Sequence, residues 1–133
     1  MPDYGLDLSA LDGGPAVPDL VAEGNELDAL VSAHPDWTRP TPAAGRTIAH
    51  QIAHLASADA NVVIAVRTPD AFDAVLKQAE AAGARYADLD AAAGAAEPRA
   101  TLLERWREGR TEVAAALRDV PRDHGWFPWY GSR

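Results

Sequence analysis

The sequence has no cysteine, so it can form no disulfide, offers no thiolate to a metal and holds no cysteine nucleophile. Any metal it binds must be held by histidine, aspartate or glutamate. Large apolar side chains are also scarce: there are 2 Phe, 1 Met, 4 Trp and 3 Tyr. Much of the 47% hydrophobic fraction is alanine, so a core has to come from small residues brought close together. Strand signatures are missing, because nowhere do β-branched and polar residues alternate between turn signals. No apolar run is long enough for a membrane-spanning helix. Neither does a basic, apolar leader head the chain, and the expected compartment is the cytoplasm. Basic residues are in deficit, 12 against 20 acidic, for a net charge of −8. That argues against nucleic acid as a partner, since phosphate contacts need a basic face.

What remains is an alanine-, glutamate- and arginine-rich chain of 133 residues, the composition of one all-α domain. Residues 1–16 read as an N-terminal arm, in which Tyr4, Leu6, Leu8 and Leu11 should pack rather than stay in water. Residues 17–133 read as a helical bundle ending in an aromatic tail, Trp126, Phe127, Trp129 and Tyr130. The first helix is expected from Pro18 to Ala33, with Leu20, Leu27, Leu30 and Val31 inward. His34-Pro35 ends it. A proline-rich loop, Trp37–Arg46, leads to a second helix over Thr47–Arg67, with Thr47 or Gly45 as its start signal. Thr68-Pro69-Asp70 reads as cap, first residue and acidic first turn of a helix to Ala82, which Gly83 stops. Ala84–Ala96 is ambiguous, with a short helix broken at Gly94 as one reading. A last long helix spans Pro98–Val120, with Leu103, Trp106, Val113 and Leu117 as its apolar stripe.

The chemistry lies in the second helix, TIAHQIAHLASADANVVIAVR. His50 and His54 stand four residues apart, one turn above each other, which is half of a transition-metal site. HQIAH is not the zinc-protease HExxH, because Gln51 replaces the glutamate and an amide is no general base. Two hydrogen-bonded, partly buried histidines are the alternative reading of that spacing. Ile48, Ile52, Leu55, Val62 and Val66 form an apolar stripe, and His50, His54, Ser57 and Asn61 lie roughly opposite. Asp59 falls within the apolar stripe, where a buried carboxylate calls for a basic partner.

AEGNELDALV, TPAAG-x-TIAHQIAHLA, DAF and LLERWREGR together resemble the metal-binding, actinobacterial branch of the DinB / mycothiol-dependent maleylpyruvate isomerase superfamily, over about Val17–Tyr130. The resemblance implies an up-down four-helix bundle holding a divalent metal, zinc or nickel, near one end. His54 matches the ligand of the HLA segment, with His50 one turn earlier. It also implies mycothiol or another low-molecular-weight thiol, and isomerisation or substitution of a small-molecule substrate. Two departures stand out. Arg46 replaces the tryptophan usual in relatives, and the Glu- or His-xxx-His pair expected on a fourth helix has no counterpart, His124 being the only later histidine. With three long helices, a groove showing Ala53 and Ile64 beside the histidines would stay open, and a homodimer is the expected remedy. The alternative function is a non-catalytic helical association or small-ligand-binding module with an incomplete metal site.

Overall fold

The computed structural model describes residues 6–7, 16–121 and 126–127. Among these there are five α-helices: α1 Ala16–Ala33, α2 Ile48–Arg67, α3 Pro69–Ala82, α4 Tyr86–Ala95 and α5 Arg99–Arg118. A 3₁₀ turn, Gly83–Arg85, joins α3 to α4. The all-α bundle expected from composition is what forms. One small addition is a two-residue antiparallel pair, β1 Leu6–Asp7 with β2 Trp126–Phe127, in the register Leu6–Phe127 and Asp7–Trp126. It joins the N-terminal arm to the aromatic tail. The other arm and tail residues named above lie outside the described residues.

Helix α2 is the centre, packed by α5, α4 and α3, while α1 packs on α5. Gly109 faces Asp59 and Arg67 pairs with Glu112, so α2 and α5 run in the same direction. Asp28 meets Arg107 and Arg110 while Ser32 meets Arg107, which sets α1 antiparallel to α5. The main core cluster joins Val31, Trp37, Ile52, Ala53, Ala56, Leu102 and Trp106. Small residues dominate the α2 contribution because its neighbours come so close. A Cβ added at Gly94 would lie 2.5 Å from the Cβ of Ala53, so α4 can reach α2 only with glycine there. The short helix expected here does end beside Gly94, at Ala95, and Gly94 is a packing residue as well.

This contact also covers part of the groove expected beside the histidines, while Ile64 is half-buried. Ala53 is fully buried, covered by α4 rather than exposed. The stripe of α5 is displaced as well: Leu102 is buried with Trp106 and Val113, whereas Leu103 and Leu117 are half-buried. On α1, Val31 is buried but Leu30 points outward, 71% exposed, because residues one apart lie 100° apart around a helix.

Chain ends are handled by side chains. The last carbonyls of α1 accept from Trp37 Nε1 at 2.8 Å (Val31 O) and from Arg99 Nη2 at 3.0 Å (Ser32 O). The Arg99 guanidinium also lies over the Trp37 ring, 4.7 Å from its centroid. Gly45 takes φ +74° in the turn before α2, a conformation that favours glycine. Arg46 then reaches across to pair with Asp88 of α4, which ties the loop to α4. Thr68 ends α2 and begins α3 at once; its Oγ1 donates back to Ile64 O at 3.2 Å and does not cap α3 as expected.

Candidate functional site

The two histidines of α2 have different surroundings. Thr47 is the N-cap of α2 and His50 its third residue, and they form a reciprocal capping box. The His50 backbone N–H donates to Thr47 Oγ1, and the Thr47 backbone N–H donates to His50 Nδ1, both at 3.3 Å. Imidazole here does what glutamate or glutamine does in the usual box. With Nδ1 accepting, the neutral ring carries its proton on Nε2. Binding a metal through Nε2 requires the other tautomer, in which Nδ1–H donates to Thr47 Oγ1 across the same 2.8 Å contact. The Thr47 N–H then loses its acceptor, and a ligating His50 gains the oriented outer hydrogen bond typical of metal-bound imidazole.

His54, one turn on, is exposed, with no hydrogen bond to its ring from the described residues. Its neighbours on either side, Ala53 and Leu55, face α4 and the α1–α5 side respectively. The chain therefore offers two nitrogens on one side of α2, one free and one conditional. Among the described residues no group of three or more His, Asp or Glu side chains could hold a metal ion. Two nitrogens are fewer than the three protein ligands that a zinc site usually takes. His34 is separate from both: its Nδ1 accepts the Asp36 backbone N–H at 3.1 Å, fixing the turn after α1.

A second feature lies on the other side of α2. Between α1, α2 and α5 is a cleft of about 390 Å³. Asp59 looks into it from α2 and Arg110 from α5. Burial pushes the Asp59 carboxyl up to about 6, and the positive charge of Arg110 only partly offsets this. The interior basic partner expected for Asp59 is thus Arg110, acting through space and not by a direct ion pair. Arg110 itself is held by α1: Nη2 donates to Asp28 Oδ2 at 2.9 Å and Nη1 to Asn25 Oδ1 at 3.2 Å. Its guanidinium lies over the Trp106 ring, 4.8 Å from the centroid. Asp28 also takes two bonds from Arg107, each 2.8 Å, and one from Ser32 Oγ. The Arg107 hydrogen bonds, with Ser32 and Arg110, hold the Asp28 carboxyl well below the usual carboxylate range.

The sequence read above does not single out Asp28, Arg107 and Arg110. The available signal was geometric: Asp28 and Ser32, and Arg107 and Arg110, each share a helix face by their spacing.

Comparison with known proteins decides the family. The family described as mycothiol maleylpyruvate isomerase N-terminal domain matches residues 20–133. The chain belongs to this family. Two relatives are uncharacterized proteins of Mycobacterium tuberculosis, Rv0036c of strain H37Rv and MT0041 of strain CDC 1551, each 42% identical over 122 residues. In each case the match covers 90% of this chain and 47% of the relative, so the chain spans about half the length of these curated relatives. No solved structure gives a significant match. Within this mycothiol maleylpyruvate isomerase N-terminal domain, α2 carries the HLA segment and hence His54. No helix among the described residues is long and apolar enough to cross a membrane.

Proposed function

We propose that the chain provides the helical-bundle part of a metal- and thiol-dependent protein that isomerises or substitutes small molecules, with His54 as a metal ligand. The observation that carries this reading is the placement of His54: exposed on α2, free of hydrogen bonds from the described residues, in a chain that belongs to a mycothiol-related family. A zinc or nickel ion bound there supplies a Lewis acid and a seat for a thiolate, mycothiol or another small thiol. His54 presents a ring nitrogen to solvent. His50 can add Nε2 at the cost of one capping hydrogen bond, and Thr47 Oγ1 then fixes its ring. The fully buried Ala53 and Ile52 behind them anchor the helix, so both rings project from a rigid support.

Calorimetric titration of Zn²⁺ and Ni²⁺ into wild type, His54→Ala and His50→Ala tests the reading. The wild-type chain, supplying two nitrogens, should bind weakly, in the range of about 10–100 μM, and His54→Ala should weaken binding by about tenfold or more. Equal binding by wild type and His54→Ala would remove His54 from the site.

A further inference from the structure

The cleft between α1, α2 and α5 faces away from the histidines and has no part in the reading above. At about 390 Å³ it is within the size range of small-molecule sites. Leu20, Leu27, Leu55 and Val113 line it, with Trp106 below. The ionisable groups on its walls are Glu23, Asp59, Arg110 and Arg118. Their availability differs. Arg110 gives Nη2 to Asp28, Nη1 to Asn25 and its face to Trp106, and only its buried Nε–H is without a partner among the described residues. Arg118 and Glu23 are exposed and can be solvated by water. Asp59 is half-buried among the apolar walls and accepts no hydrogen bond from the described residues.

We propose that this cleft binds a small organic monocation, an amine with an apolar body, whose ammonium group meets Asp59 and whose body lies against Leu55, Val113 and Trp106. Charge and solvation choose this ligand class. A neutral apolar molecule would strip water from Asp59 and give nothing back. An organic anion would meet the Asp59 carboxylate, and it would find the charge of Arg110 already paired with Asp28 and only the buried Nε–H left as a donor. An ammonium group restores to the carboxylate the hydrogen bonds and charge that water supplied, and the apolar walls take the rest of the molecule. The raised proton affinity of Asp59 agrees with a carboxylate lacking such a partner.

The test is a ¹⁵N–¹H NMR titration of the full chain with three size-matched probes: 2-phenylethylamine, 2-phenylethanol and 3-phenylpropanoate. The amine should give saturable shifts, with Kd below about 10 mM, concentrated at Leu55, Asp59, Val113 and the Arg110 Nε–H. Asp59→Asn, which preserves shape, should weaken amine binding by about tenfold while circular dichroism confirms an unchanged fold. Amine binding should also fall as pH drops below about 6, where Asp59 gains its proton. The proposal is overturned by tighter binding of the anion, by equal binding of amine and alcohol, by unchanged affinity in Asp59→Asn, or by no saturable shift. Because none of these readouts involves a metal or a histidine, failure here leaves the His54 reading standing, and failure of His54 to bind metal leaves this one standing.

Discussion

Replacing Asp59 with asparagine should stabilise the protein at neutral pH and do nothing for it in acid. In the folded chain, burial moves this carboxyl from its ordinary 3.8 to about 6. A carboxyl whose folded pKa is raised favours folding when protonated and opposes it when ionised. Its contribution is therefore most favourable below about pH 4, and declines as pH rises through about 6. The shift of about two units, at about 1.4 kcal/mol per unit, sets a ceiling near 3 kcal/mol. Water reaches the half-buried group and screens part of that penalty, so about 1–2 kcal/mol is expected. Asparagine keeps the shape but never ionises. Urea unfolding at pH 4, 6 and 7.5 should show the Asp59→Asn midpoint above wild type at 7.5, converging on it at 4, with an unchanged m-value. The comparison with wild type at each pH cancels Asp28, whose lowered pKa acts in the opposite sense and weakens the fold only in stronger acid. A variant less stable than wild type at pH 7.5 would refute the reasoning, because it would mean that Arg110 rewards the ionised carboxylate by more than burial penalises it.

Trp106 is 2% exposed at the centre of the core cluster, and Trp106→Ala should cost about 3–5 kcal/mol in the same assay; a loss below about 1 kcal/mol would undo the α5 orientation. Gly94→Ala should cost about 1–3 kcal/mol, because the new methyl lies 2.5 Å from the Ala53 Cβ. Gly109→Ala, whose Cβ would meet Asp59 at an ordinary 3.6 Å, should instead gain about 0.5–1 kcal/mol. A homodimer through the histidine-bearing side of α2 remains our proposal for assembly, with His54 rather than the covered Ala53 at its surface. Light scattering at about micromolar concentration should then give twice the 14.1 kDa of one chain, and a monomer would remove the proposal.

The helices were legible because their punctuation is local. Thr47 as N-cap, Pro69 as first residue of α3 and Gly83 as its stop follow from neighbours in sequence. Pairwise approach was not legible in the same way. Gly94 reads only as the end of a short helix, and nothing near it in sequence announces its contact with Ala53. The small-residue core also blurs the stripe of α5, since Leu102 and Leu103 fit the periodicity about equally and α2 decides between them. At the site, the spacing of His50 and His54 was visible, but the use of His50 in the capping box depends on Thr47 adopting extended backbone before the first turn. The Asp28–Arg107–Arg110 cluster joins residues about 80 positions apart, which a single sequence cannot couple.

The proposed function stands or falls on whether a ring nitrogen of His54 takes a metal ion. The most direct measurement is a long-range ¹⁵N–¹H spectrum of the four histidine rings, recorded with and without Zn²⁺ at neutral pH. A His54 ring nitrogen should move to a metal-bound position, His50 should follow by exchanging its Nε2 proton for one on Nδ1, and His34 should stay where it was. If the His54 nitrogens remain unmoved while zinc is shown to bind elsewhere or not at all, the proposal is wrong.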